Sequence, residues 1–131
     1  MAKSKPFKKT PAKKKLDKLC LEIVKKRDGN RCNWCEKDCG CLQHHHIIPV
    51  SVCGNAGRWD LQNQICLGLG CHLFRINKER VEYGRFIEAW LNDRDLNYDQ
   101  LKLTFKGAYL KFNKETYERK KKVLEEILNE F

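Results

Sequence analysis

Residues 31–72 read RCNWCEKDCGCLQHHHIIPVSVCGNAGRWDLQNQICLGLGCH, and what holds this stretch together decides the fold. It carries seven of the chain's eight cysteines, all four histidines and five of the eight glycines. Little regular periodicity runs through it. That suits a small unit built on metal ligation, which supplies stability that a short segment cannot draw from an apolar core. Cys32-x-x-Cys35 opens the stretch and Cys66-x4-Cys71 closes it. Two such thiolate pairs can surround one Zn²⁺ at ~2.3 Å in a closed, structural tetrahedron. Gly68 and Gly70 let the longer second loop turn back. Cys39, Cys41 and Cys53 are rival ligands or plain buried thiols. A short hairpin is expected around 41–52 and a loop over 53–60.

On the N-terminal side, Leu16, Leu19, Cys20, Ile23 and Val24 recur at helical steps, and Asp28-Gly29-Asn30 ends that helix. Residues 1–15 hold seven lysines, two prolines and no acidic residue, which predicts a basic disordered arm. On the C-terminal side, helices are expected over 71–81 and 82–96, the latter with Phe86, Ile87, Trp90 and Leu91 on one face. Two more are expected over 99–112, capped by Asp99, and over 114–130, with Tyr117, Val123, Leu124, Ile127 and Leu128 inward. The chain thus divides into the arm 1–15, a metal-built core with its N-terminal helix over 16–81, and a helical extension over 82–131.

The chain of 131 residues has 27 Lys+Arg against 17 Asp+Glu, a formal charge of +10. This excess favours a polyanionic partner. No stretch approaches the ~20 apolar residues of a membrane span. No apolar segment follows the basic N-terminus, as a secretory signal would require. Without a secretory signal, eight cysteines read as metal ligands of a reducing, cytoplasmic compartment rather than as disulfides.

His46-Ile47-Ile48-Pro49, then Asp60-Leu61-Gln62-Asn63, then Ile65-Cys66 and Cys71-His72, resemble the pattern of the HNH nucleases. The enclosing cysteines match the zinc-stabilised branch of that family, and the likeness covers about residues 31–80. A fainter resemblance, carried by residues 57–63, Cys71-His72, Tyr83-Gly84, Phe86 and Trp90, links the chain to phage recombination nucleases of the NinG/Rap type, which act on branched DNA. The likeness implies an α+β fold: a small zinc-stabilised ββα-metal (HNH) unit embedded among α-helices. It also implies a metal-dependent DNA endonuclease acting in the cytoplasm, and the fainter likeness implies a bacteriophage origin, in which case that is the host cytoplasm.

Under that resemblance His46 is the general base that takes a proton from water, a role suited to its ordinary pKa of ~6.5. Asn63 orients the His46 ring. His45 and His72 hold one catalytic divalent ion (Mg²⁺, Mn²⁺, Ni²⁺ or Zn²⁺), while Cys32, Cys35, Cys66 and Cys71 hold the structural zinc. His45 stands where the family commonly has Asp, which shifts preference toward softer ions. Strict strand alternation would put His44 and His46 on one face and His45 on the other, leaving His44 as an alternative ligand; the family pattern assigns His45. Arg58, Arg75, Lys78 and Arg80 are candidate phosphate contacts, which position DNA without reading its sequence. Trp59 is expected in the core, and Lys120, Lys121 and Lys122 on a solvated helix. The expected partner is duplex or branched DNA, with a homodimer as one route to cutting both strands. The alternative is a non-catalytic zinc-knuckle DNA-binding module.

Overall fold

The computed structural model describes residues 6–131. Helix α1 (Lys9–Arg27) begins six residues earlier than the end of the expected disordered arm. Ala12 supplies the reason, because it is buried and extends the apolar stripe of Leu16, Leu19, Cys20, Ile23 and Val24 by about a turn. Of the expected arm, residues 1–5 lie outside the described residues. The helix stops as expected: Gly29 and Asn30 adopt positive φ of 77° and 57°, and their N–H groups bond back to the carbonyls of Lys26 and Lys25.

The fold is mixed helix and strand. Its two-stranded antiparallel sheet pairs β1 (Leu42–His46) with β2 (Gln64–Gly68), in the register His44↔Cys66, His45↔Ile65 and His46↔Gln64. The hairpin expected around 41–52 is therefore a wider structure. The strand after the tight turn is absent, because residues 50–58 coil into α2 (Val50–Arg58), kinked at Gly54 (φ 59°) and standing where a loop was expected. A 3-10 turn, Leu61–Asn63, leads into β2.

Beyond β2, a π-helical turn (Cys71–Arg75) runs into the short α3 (Ile76–Lys78), so the helix expected over 71–81 ends early. Glu79 leaves helical geometry (φ −123°, ψ 59°) before α4 (Arg80–Asn92), whose buried face holds Ile87, Trp90 and Leu91. Helix α5 spans Tyr98–Phe105, and its cap is Asn97 rather than Asp99: Asn97 Oδ1 accepts from the Gln100 N–H at 3.1 Å. Helix α6 (Lys114–Asn129) is capped by Asn113 and buries Thr116 and Leu124; Val123, expected inward, is exposed.

Cross-strand partners share a face. One face of the sheet carries His44, His46, Gln64 and Cys66 toward α1. The other carries Gln43, His45, Ile65 and Leu67 toward the segment 71–92. Two apolar clusters follow. The first joins Ile65, Leu67, Cys32 and Cys71 to α4 and α5 through Ile87, Trp90, Leu91, Leu101 and Phe105. The second joins α1 to α6, with Trp59 and Phe112 between them. Among the described residues no helix is long and apolar enough to cross a membrane.

Candidate metal centre and histidine site

Four cysteines, Cys32, Cys35, Cys39 and Cys71, place their sulfurs within 4.8 Å of one another. A tetrahedron with Zn–S bonds of ~2.3 Å has edges of about 3.8 Å. The Cys39 and Cys71 sulfurs stand 3.7 Å apart, the length of one such edge, and all four lie within 4.8 Å, so the cluster could hold one zinc ion. Burial pushes the Cys71 thiol up to about 12, with the thiols of Cys32, Cys35 and Cys39 adding to it. Burial also raises Cys32, but the N–H groups of Gly68, Cys35 and Trp34 outweigh it and hold this thiol near 7. Crowded sulfurs that resist joint ionisation, around one thiol primed by backbone amides, are a donor set completed by a soft dication.

Three of the four expected ligands are in this cluster; Cys66 is not. The register explains the difference. Cys66 lies in mid-strand opposite His44, on the face turned to α1, whereas Cys71 follows β2 on the other side. Its thiol is pushed up to about 11 by burial and then by Asp28. Its peptide instead docks the knuckle: Cys66 N–H donates to Asp28 Oδ2 at 2.9 Å, and the Cys66 carbonyl accepts from the Asn33 backbone and side chain. Cys39 takes the vacated place. A Cβ at Gly68 would overlap the Cys39 sulfur, and one at Gly70 would lie 2.9 Å from the Cys39 carbonyl oxygen. The two glycines thus clear space for the fourth ligand. The two glycines are visible in the sequence, where they explain only how the loop turns back; the sulfur they make room for is not. Cys53 remains a buried thiol, donating to the Ile48 carbonyl at 3.4 Å, and Cys41 is exposed.

His45 and His72 come together on the face turned to α4, ring centroids 5.0 Å apart and edge to face. His72 Nδ1 lies 2.5 Å from Gln43 Oε1, an acceptor, so this nitrogen carries the proton and Nε2 keeps its lone pair. His45 Nε2 meets the Tyr83 hydroxyl at 2.5 Å, a partner the sequence did not disclose. Burial, followed by the neighbouring His72 and His46 rings, holds His45 down to about 3, and burial also lowers His72. Both imidazoles are neutral at pH 7, the form that ligates a cation. Two neutral imidazoles without a carboxylate fit Zn²⁺ or Ni²⁺ better than Mg²⁺, which wants oxygen.

His46 stands on the opposite face, beside His44 at a centroid distance of 5.3 Å. Its Nε2 lies 2.8 Å from the Arg58 carbonyl oxygen. A carbonyl only accepts, so Nε2 is protonated and Nδ1 is the basic nitrogen. Burial lowers the pKa of His46, against the opposing pull of that carbonyl. His44 Nδ1 is engaged by Gln64 Oε1 at 2.7 Å. Contrary to the expectation that Asn63 orients the His46 ring, its side chain makes no hydrogen bond to that ring. Fully buried, it bonds the Ile48 N–H (2.7 Å), the Ile48 carbonyl (3.0 Å) and the Gly57 carbonyl (3.1 Å), locking the turn that follows His46 to α2.

The expected phosphate contacts divide. Arg58 is committed inward, forked onto Asp17 at 3.1 and 2.7 Å, and offers little to a ligand. Arg75 bonds Glu79 at 2.7 Å and lies over the Trp34 ring at 4.0 Å. Lys78 and Arg80 are exposed on either side of the Glu79 break. Trp59 is buried, its indole N–H donating to Asp17 at 2.8 Å. Comparison of the chain with family models, with curated proteins and with solved structures gives no match.

Proposed function

We propose that the chain is a metal-dependent DNA endonuclease built on a zinc-stabilised ββα-metal unit, in which β1, β2 and the segment 71–78 form the two strands and the helix. The observation that carries this reading is the pairing of His45 with His72 on one face of β1, while His46 on the other face has its Nδ1 left basic by the Arg58 carbonyl. A zinc-knuckle binding module needs neither arrangement. The outer edge of β1 has no strand partner among the described residues, so a phosphodiester laid along it can meet both faces.

In this reading His46 Nδ1 accepts a proton from a water whose oxygen attacks phosphorus. The P–O bond opposite breaks, and the departing oxygen is protonated by solvent. A divalent ion held by His45 and His72 would offset negative charge on that oxygen. Gln43 and Tyr83 orient the two imidazoles, as outer partners of metal-binding histidines do. Lys78 and Arg80 contact phosphates and contribute no sequence readout.

The test is nicking of supercoiled plasmid by the purified protein in Mg²⁺, Mn²⁺, Ni²⁺ or Zn²⁺, with a four-way junction and a linear duplex alongside. Cleavage should require the ion, prefer the softer ones, and fall at least a hundredfold in His46→Ala. If no ion gives cleavage above that variant while DNA is still bound, the protein is a zinc-built binding module.

A further inference from the structure

The Arg58 carbonyl that holds His46 belongs to the peptide bond between Arg58 and Trp59. Both side chains flanking this peptide are bound by one carboxylate on another element. Asp17, in α1, accepts from Arg58 Nε (3.1 Å) and Nη2 (2.7 Å) and from Trp59 Nε1 (2.8 Å). The peptide lies at the C-terminus of α2, where carbonyls lack helical partners and are free to accept. Two donors use it: His46 Nε2 at 2.8 Å and Gln64 Nε2 at 3.1 Å.

We propose that Asp17 is a positioning residue for His46: by gripping Arg58 and Trp59 together it fixes the 58–59 peptide, and through that carbonyl the tautomer and orientation of the ring. This deepens the nuclease reading, since it assigns to the N-terminal helix a part in presenting the base. A planar guanidinium forked onto a carboxylate fixes orientation as well as distance, which a single hydrogen bond does not. The indole N–H on the same carboxylate removes the remaining freedom of rotation about the peptide. Arg58, expected to meet DNA, serves this clamp instead.

The readout is the tautomer of His46, from ring ¹⁵N and ¹³C resonances of the zinc-loaded full chain at a pH where the ring is neutral. His46→Ala assigns the signals. Wild type should show His46 as a single Nε2–H tautomer. Asp17→Asn, with zinc content intact, should give a mixture, together with a nicking kcat at least tenfold lower and a KM for DNA changed less than twofold. Glu22→Gln, on the same helix, should change none of these. A mixed tautomer in wild type, or an unchanged one in Asp17→Asn, overturns the proposal, and so does a shifted tautomer with kcat intact. If Asp17→Asn does not fold, Trp59→Phe removes one of the three bonds and is read in the same way. A tautomer shift in a protein that never nicks DNA leaves the clamp standing and removes the nuclease reading instead.

Discussion

The sulfur of Cys39 lies 3.7 Å from that of Cys71, whereas Cys66 is turned to the other face of β2, and the two cysteines should respond oppositely to the same change. Cys39→Ser removes a zinc ligand. Zinc affinity should then fall by more than the about 100-fold that loss of a mere supporting partner costs. Cys66→Ser places a hydroxyl at a fully buried position with no partner for its oxygen, which should lower stability by about 1–3 kcal/mol while one zinc per chain is retained. Metal analysis of both purified variants, with thermal unfolding, checks the pair; a zinc-free Cys66→Ser would return that residue to the site. The Cys32-x-x-Cys35 pair was legible because a two-residue loop brings its sulfurs together by itself. The fourth ligand was not, because it depends on which way a strand residue faces, and a one-residue change of register reverses that. Asn63 stands out in the sequence, but its contacts are with the Ile48 and Gly57 backbone and not with the His46 ring. A buried amide with two donors and an acceptor is satisfied by backbone around it, and no spacing rule says which backbone.

At the scale of elements, strand alternation in the His44-His45-His46 triplet was readable and holds, since a five-residue strand has only two faces. Helix lengths were readable to within a turn or two. The limits came from local geometry: the Glu79 break, the kink at Gly54, and Asn97 capping α5 in place of Asp99. Asp17 was invisible for a related reason, because its partners lie 41 and 42 residues away. The Glu79 break has a consequence for binding. It places the exposed Lys78 and Arg80 at the junction of α3 and α4, just beyond His72, without an acidic partner among the described residues. Each should neutralise about one phosphate. Lys78→Ala and Arg80→Ala should each flatten the dependence of log Kobs on log salt by about 0.9 for duplex DNA, whatever its sequence. Arg58→Lys should leave that slope unchanged, because Arg58 is spent on Asp17. Fluorescence anisotropy across a salt series measures all three, and a flattened slope for Arg58→Lys would put that residue back on the DNA surface.

For the molecule as a whole, the two apolar clusters differ in what sustains them. The α1–α6 cluster is a helix pair closed by Trp59 and Phe112 and contains none of the four clustered cysteines. The other cluster includes Cys32 and Cys71 themselves, so a zinc ion held by them would tie the sheet and α4 to its presence. Zinc loading of this cluster would then be coupled both to folding of that half and to protons. In the metal-free state burial holds Cys39 and Cys71 above the ordinary thiol value of 9, so both are protonated throughout pH 6–8. Each must lose its proton to bind, which gives the sign: affinity falls as pH falls, by at least a hundredfold per pH unit for two protons released. Cys32, held near 7 by backbone amides, is largely ionised above that pH and adds little there. Below it Cys32 is protonated as well, and its proton adds up to a further tenfold per unit. Calorimetry of zinc binding in buffers of different ionisation enthalpy counts these protons directly. Hydrogen exchange on the chelated protein reads the structural side: protection should be lost over β1, β2 and 71–92 while α1 and α6 keep more of theirs. Uniform loss across the chain would mean that the two clusters fold as one unit and that the metal sustains both.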